Sequence, residues 1–332
     1  MKALILGVTG QDGSYMADLL LSKGYEVHGL IRKSATGNTI NIAHIVSDKD
    51  VFNKQFFLHQ GDLADPTSLY RIIADVRPNE IYNEADQDHV RWSYDMVGYS
   101  SDITAAAVAR ILEIIRQVDD SIRYLQPCTS NMFGKVDSET QNESTPFNPQ
   151  SPYAVAKTFA YYMTRYYRPA YEIHATNVIL FNHESPRRPA DYVTRKISQS
   201  VARISVGKQG ELVLGDTSAK IDWGFSGDYV EAEWLALQQD EADDYVIATG
   251  KVHSVQEFVD EAFAVVGLDP KQYVKSSKEF FRVTPTSTLT GDSSKARKIL
   301  GFSPKVNFSK LVKMMVEADL EREKQYDLRR KC

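Results

Sequence analysis

Three glycines within the first thirteen residues constrain this chain more than any other stretch. Ala3 to Leu6 is an apolar run that stops at Gly7. Gly10 and Gly13 come next, and from Tyr15 to Leu21 apolar side chains recur at helical spacing. The pattern reads as a strand, a tight turn and a helix. Glycine is needed where a Cβ would block the backbone from a pyrophosphate, and the helix N-terminus beyond it offers unpaired N–H groups and partial positive charge. Gly7, Thr9, Gly10, Gln11, Asp12 and Gly13 are therefore candidate contacts to a dinucleotide.

Beyond the first helix the chain keeps the same rhythm. Glu26 to Ile31 alternates as a second strand and ends in Arg32-Lys33-Ser34. A basic residue at that point accommodates the 2′-phosphate of NADP, whereas an acid favours the free hydroxyl of NAD. Arg32 and Lys33 argue for NADP over NAD. Gln55 to Gln60 reads as a third strand running into Gly61-Asp62-Leu63. Asp62, with Leu63 beside it, is a candidate for the adenine contact, or else a cap for the helix from Thr67 to Val76 that Asp65-Pro66 opens. Glu80 to Asn83 and Ile122 to Pro127 are further strands, with a long helix from near Thr104 to Val118 between them and another from Ser151 to Tyr171.

Alternating strands and helices predict an α/β fold: a doubly wound parallel sheet over residues 1–180 that binds the dinucleotide. Beyond it the texture changes to loops and short elements, with helices expected at Thr194 to Val206, Asp228 to Gln238, Val255 to Val266 and Phe308 to Asp319. Residues 181–332 are expected to form a smaller mixed α/β substrate domain, with some segments crossing between the two, and the charge-rich tail from Glu321 to fray. Length supports this division, since 332 residues suggest about two domains.

With 25% charged residues and a net charge of −5, no basic surface announces nucleic acid or an anionic membrane. No window approaches a membrane span, and the N-terminus enters a strand without a charged leader, so a cytoplasmic protein is expected. Two cysteines make no disulfide framework, and no Cys/His spacing suggests a metal site.

Tyr153 and Lys157 lie one turn apart on one helix face, where an ammonium stabilises a phenolate and lowers its pKa. A tyrosine so tuned can take a hydroxyl proton while the carbon beneath gives hydride to a nicotinamide. Thr129, at the end of a strand, is placed to hydrogen-bond the same hydroxyl. His89 and His183 lack ligand partners in the sequence and are expected in hydrogen-bonded or surface roles. Tyr161, Tyr162, Tyr166 and Tyr167 recur at helical spacing, as in a core or a dimer interface, and predict a homodimer or a larger assembly such as a homotetramer.

Several stretches together resemble the extended short-chain dehydrogenase/reductases, and within them the GDP-mannose 4,6-dehydratase family. They include Gly7-Val-Thr-Gly-Gln-Asp-Gly-Ser-Tyr15, Ser151-Pro-Tyr-Ala-Val-Ala-Lys157, Leu180-Phe-Asn-His-Glu-Ser-Pro-Arg-Arg188, Val193-Thr-Arg-Lys-Ile197 and Ala248-Thr-Gly-Lys-Val-His-Ser-Val255. The resemblance implies NADP and a GDP-sugar substrate, with Asn182, Val193, Lys196 and Arg282 lining the sugar-nucleotide site and Arg187 helping to hold the cofactor. It also implies a three-step cycle. Tyr153, with Thr129 and Lys157, takes the O4 proton as C4 is oxidised; a glutamate removes the C5 proton and water leaves C6; hydride then returns to C6.

Two departures bear on the second step. Where the family has glutamate this chain has Asn131, and an amide is no general base near neutral pH. The loop after the fourth strand carries Glu84, Asp86 and Asp88 where the family has none of these acids. A family arginine before Asp222-Trp223 is Ile221. Three readings stay open. Asp86 or Asp88 supplies the missing acid/base; or chemistry stops at C4, as in a dehydrogenase, 4-ketoreductase or epimerase; or the chain is a weakened or non-catalytic nucleotide-binding paralogue.

Overall fold

The computed structural model describes residues 1–34, 37–277 and 288–331, with side chains described as far as residue 325. The first half runs β1 (Lys2–Leu6), α1 (Gln11–Ser22), β2 (Glu26–Ile31), α2 (Ala43–Ser47), β3 (Phe56–Gln60), α3 (Pro66–Val76), β4 (Glu80–Asn83), α4 (Val90–Asp95), α5 (Val97–Ser101), α6 (Ala107–Val118), β5 (Arg123–Thr129), α7 (Pro152–Tyr171) and β6 (Ala175–Leu180). The second runs β7 (Asn182–Glu184), α8 (Val193–Ser205), β8 (Leu212–Leu214), β9 (Lys220–Phe225), α9 (Ser226–Leu237), β10 (Asp244–Ile247), β11 (Val252–Ser254), α10 (Val255–Val266), β12 (Val274–Ser276), α11 (Ser294–Leu300) and α12 (Phe308–Lys331).

Seven strands form one parallel sheet in the order β10-β6-β5-β4-β1-β2-β3. Side chains alternate across it, as the two-residue strand period demands. Ala3 and Ile5 join Met16 and Leu20 of α1 and Val230 and Leu237 of α9 in one buried layer. Leu4 and Leu6 face the other way, onto Ile72 and Ile73 of α3 and Ile111 and Leu112 of α6. Helices thus cover both faces, and the strand order reverses between β1 and β4. In a doubly wound sheet, ligands enter at the carboxyl ends of the strands where that reversal opens a crevice.

The sheet recruits its last strand from beyond residue 180. Asp244 opens β10, and its carboxylate accepts hydrogen bonds from Tyr161 Oη (2.8 Å), Arg168 Nη2 (2.7 Å) and Asn177 Nδ2 (2.9 Å), riveting β10 to β6 and α7. A separate apolar core underlies the rest of the second half, where Ile197 and Val201 of α8 meet Phe258 of α10, Met315 of α12 and Trp223 of β9. Two small sheets, β11-β9-β7 and β12-β8, cap this core.

Two expectations are corrected. The helix expected from Thr104 is broken by a π-helical turn at Asp102–Ala106. Asp102 pairs with Arg110 across it, and Thr104 Oγ1 accepts from Gln87 N at 3.2 Å. The last helix does not stop at Asp319 but continues to Lys331. Glu323 is gripped by Arg203 (3.0 Å) and Lys208 (2.9 Å), and Arg322 donates to Pro186 O at 2.7 Å, so this charged stretch is docked against α8 and the loop after β7. Among the described residues no helix is long and apolar enough to cross a membrane.

Candidate active site

Sterics fix the turn after β1. Gly7 has a φ of +80°, and a Cβ there would lie 2.6 Å from Glu84 O. A Cβ on Gly13 would sit 2.4 Å from Gly7 O, so α1 can lie this close to the turn only with glycine at that position. At Gly10 the nearest such contact is Gly7 O at 3.3 Å, and the residue is exposed, which leaves its open side to a ligand. No side chain caps α1. Its first N–H groups are therefore left for an anion, as phosphate binding at a helix N-terminus requires.

The side chains of the turn face elsewhere than expected of cofactor contacts. Gln11 Nε2 donates to His183 O (3.2 Å), and Gln11 Oε1 accepts from Ser185 Oγ (2.8 Å). Asp12 pairs with His183 Nε2 (2.8 Å) and accepts from Ser226 Oγ (2.6 Å). Burial alone would raise the Asp12 carboxyl, but His183 and Ser226 outweigh it and hold its pKa at about 2. Gln11 and Asp12 therefore lock the turn to β7 and α9, and only their backbone is free for a dinucleotide. Thr9 O accepts from Asn41 Nδ2 at 3.1 Å.

Arg32, just past β2, is exposed and donates to Tyr99 Oη at 2.9 Å. Asp62 folds back onto Ala64 N (2.9 Å), while Asp65 caps α3 through Thr67 N (3.0 Å). Leu63 is buried, its carbonyl accepting from Arg110 at 3.2 Å. Arg187 is committed to α1, donating to Ser14 Oγ (3.1 Å) and Asp18 Oδ2 (2.7 Å) with its guanidinium over the Tyr15 ring.

At the carboxyl ends of β4 and β5 a second cluster assembles. Ser151 caps α7 through Ala154 N (3.1 Å), with Pro152 at the first turn, which sets Tyr153 and Lys157 on the face that meets β5. Lys157 Nζ donates to Pro127 O (2.9 Å) and lies 2.6 Å from Asp86 Oδ2. Burial would lower the ammonium's pKa, yet Asp86 and Tyr153 carry it above the ordinary lysine range. Thr129 Oγ1 accepts from Asn131 Nδ2 at 3.0 Å. Asp88 accepts from Tyr192 Oη at 2.7 Å, and Tyr192 in turn stacks under the guanidinium of Arg188.

The expected lowering of the Tyr153 pKa is not what the site produces. Burial pushes the phenol above its ordinary range; Lys157 and a hydrogen bond with Thr129 pull it down, while the carboxylates of Asp86 and Asp88 push it further up. The physical reason is burial first, with the charges of Asp86 and Asp88 adding to it, so that the pull of Lys157 does not prevail.

The expected substrate residues come from segments beyond β6. Asn182 opens β7 and pairs with Trp223 of β9. Val193 is half-buried at the start of α8, and Lys196 Nζ donates to Val213 O at 2.7 Å. Arg282 lies outside the described residues. Ile221 is half-buried against the second core, so it packs there rather than presenting a charge.

Sequence reasoning missed a pair of acids behind the turn. Among the described residues, Glu84 Oε1 and both carboxyl oxygens of Glu233 are buried without a hydrogen-bond partner from a third residue. Two facing carboxylates lack a donor unless one keeps its proton. Burial first, then the charge of Asp12, pushes Glu84 up to about 8, and burial followed by Glu84 pushes Glu233 upward too. Glu233, set between Ala232 and Trp234 in α9, was the available signal. His183, hydrogen-bonded as expected, also touches the turn, a proximity its sequence position does not reveal.

A family model described as GDP-mannose 4,6 dehydratase matches residues 4–315. GDP-mannose 4,6 dehydratase 1 of Arabidopsis thaliana is 51% identical over 324 residues, covering 96% of this chain and 90% of that protein. The Homo sapiens GDP-mannose 4,6 dehydratase is 45% identical over 339 residues, with 96% and 91% covered. Among solved structures, a dTDP-glucose 4,6-dehydratase of Streptomyces venezuelae with NAD and TYD bound superposes with a TM-score of 0.84 at 22% identity, covering 98% of both chains, which shows a shared fold. With this identity and coverage, the chain belongs to the GDP-mannose 4,6-dehydratase family of the extended short-chain dehydrogenase/reductases.

Proposed function

We propose that the chain is an NADP-dependent enzyme that transfers hydrogen at C4 of a GDP-linked hexose and does not carry out the elimination at C5 and C6. The observation that supports it is the convergence of Thr129, Tyr153 and Lys157 at the strand ends, with Asn131 where a carboxylate would be needed. The glycine turn suits a dinucleotide, because its exposed Gly10 and uncapped helix leave a cradle that a Cβ would fill.

The backbone of residues 7–13 would hold the pyrophosphate, Arg32 and Lys33 the 2′-phosphate, and Asp62 and Leu63 the adenine. Tyr153 and Lys157 would hold the nicotinamide ribose. A nicotinamide held there would supply hydride exchange with C4. Tyr153 moves the proton at O4, Thr129 bonds the same oxygen and fixes its direction, and Lys157 orients the phenol. Asn182, Val193, Lys196 and Arg282 would bind the nucleotide and sugar.

Incubation with GDP-mannose and NADP tests this reading. Absorbance near 340 nm changes if C4 chemistry occurs, and mass spectrometry finds no 4-keto-6-deoxy product. Formation of that product at ordinary turnover would overturn the restriction to C4 and assign the second step to Asp86 or Asp88. A Tyr153→Phe protein that keeps full activity would overturn the whole proposal.

The same reading makes the protein a homodimer or homotetramer. Val155, Phe159, Tyr162 and Tyr166 are 56%, 44%, 54% and 56% exposed and form one stripe along α7, while Tyr161 and Tyr167 turn inward. Such a stripe fits a second copy of the chain. Sedimentation showing only monomer at micromolar concentration would remove this part.

A further inference from the structure

Two carboxyl groups meet behind the glycine turn. Glu84, in the segment after β4, touches Glu233 of α9 side chain to side chain. Glu233 is wholly buried, and among the described residues neither of its oxygens nor Glu84 Oε1 has a donor from a third residue. Glu80, buried in β4, shows the contrast. It accepts from Tyr25 Oη (3.3 Å), Tyr82 Oη (2.7 Å) and Gln238 Nε2 (3.1 Å), so three donors serve its oxygens.

The cations that face the pair are committed to other acids. Lys157 of α7 lies 2.6 Å from Asp86, and His183 of β7 lies 2.8 Å from Asp12 of α1. The other titratable neighbours are Asp12 itself and the phenols of Tyr82 and Tyr124, from β4 and β5. Tyr82 donates to Glu80, and Tyr124 donates to Gln126 Oε1 at 2.5 Å. Two facing acids in such a place bond to each other only when one keeps its proton. Burial and then the charge of Asp12 favour that state, carrying Glu84 up to about 8.

The position of Glu84 gives this proton a consequence at the turn. Its carbonyl oxygen packs on Gly7, where a Cβ would lie 2.6 Å away, and Asp12 sits in the first turn of α1, whose uncapped N–H groups are open to an anion. A second negative charge behind the turn opposes an anion in front of it. By the same field, a bound anion makes the pair hold its proton more tightly.

We propose that Glu84 and Glu233 share one proton whose retention is coupled to dinucleotide binding, so that the chain takes a proton from solvent as it binds the cofactor at alkaline pH. The inference rests on the reading that the turn holds NADP and goes beyond it by adding a proton site. Below the titration of the pair the proton is already in place, and affinity is flat with pH. Above it, binding has to restore the proton, and affinity falls by up to about tenfold per pH unit.

The test counts protons. The full chain is titrated with NADP in a calorimeter from pH 7 to 9.5, in buffers of different ionisation enthalpy. Wild type is expected to take up at least about 0.3 proton per NADP at pH 8.5, and its Kd is expected to rise at least about threefold between pH 7.5 and 9. The double variant Glu84→Gln, Glu233→Gln keeps the shape of both side chains and has no proton to share. It is expected to show neither the uptake nor the rise. Should it fail to fold, Glu84→Gln takes its place with the same expectation, since its amide can donate to Glu233 where the proton was. Uptake that persists in the variant puts the proton elsewhere, as on His183, and overturns the proposal; so does wild-type binding without uptake at pH 8.5. The two layers separate cleanly. No NADP binding at any pH sinks the reading of the turn as well, whereas binding with a flat Kd sinks only the shared proton.

Discussion

The two ends of the cleft are built on different physical terms. At the glycine turn, backbone meets backbone: Gly7 lies against Glu84 and Gly13 against Gly7, so shape alone selects the residues and leaves almost no freedom. At the phenol, shape is permissive and charge decides, because Lys157, Asp86, Asp88 and Asn131 could be exchanged for residues of similar size with little steric cost. A family can therefore keep its cofactor fold unaltered while its chemistry drifts through a handful of polar positions. The comparison breaks if polar substitutions at the phenol unfold the protein or if glycine substitutions at the turn cost nothing.

The largest effect is expected at Tyr153. Tyr153→Phe should lower C4 hydrogen transfer by ~10²–10⁴-fold, a loss far larger than any fall in dinucleotide retention measured by equilibrium dialysis. Asn131→Glu should then act in the opposite sense. A carboxylate beside Thr129 should bring out a 4-keto-6-deoxy product from GDP-mannose, visible by mass spectrometry and absent in wild type; no new product would mean that more than this residue separates the chain from its relatives.

Gly13→Ala sharpens the steric side of the contrast. The added Cβ meets backbone 2.4 Å away, and overpacking of this kind costs about 1–3 kcal/mol. A lower Tm and loss of bound dinucleotide are expected together, whereas Gly10→Ala should weaken binding with little change in Tm.

The last effect, spread over a pH window, concerns the acid pair, which lies between the two ends. Glu84 keeps its proton to about pH 8 in the folded chain and loses it near its ordinary value of 4.5 when unfolded. Between those values the folded state binds more protons, so this contribution to stability is present below pH 4.5 and is lost as pH rises toward 8. One proton corresponds to up to about 1.4 kcal/mol per pH unit. Glu84→Gln should flatten the fall of Tm between pH 5 and 8, and an unchanged slope would mean that the pair does not share a proton.

Legibility in the sequence divides along the same line. The turn could be read because glycine spacing and strand period are local, and α7 because Ser151-Pro152 marks its start two residues before Tyr153. The pairing of Asp86 with Lys157 could not, since it depends on β4 lying beside β5, and neither could the meeting of Glu84 with Glu233 from α9. The direction of the Tyr153 shift was misread for a related reason: the activating lysine is visible in one helix turn, but the burial that outweighs it and the carboxylates of Asp86 and Asp88 come from the packing of other elements. The three-residue strands β7, β11 and β12 are too short to carry a period, and the docking of Glu323 needs Arg203 and Lys208.

The late arrival of β10 also dictates how the molecule has to be made. Until residue 247 has left the ribosome, β6 is an open edge and Arg168 and Asn177 lack their carboxylate. A nascent chain that stops near residue 180 therefore exposes a strand ready to pair with another molecule. Truncations at the apparent end of the nucleotide-binding half should aggregate, and soluble fragments should appear only once Asp244–Ile247 is included.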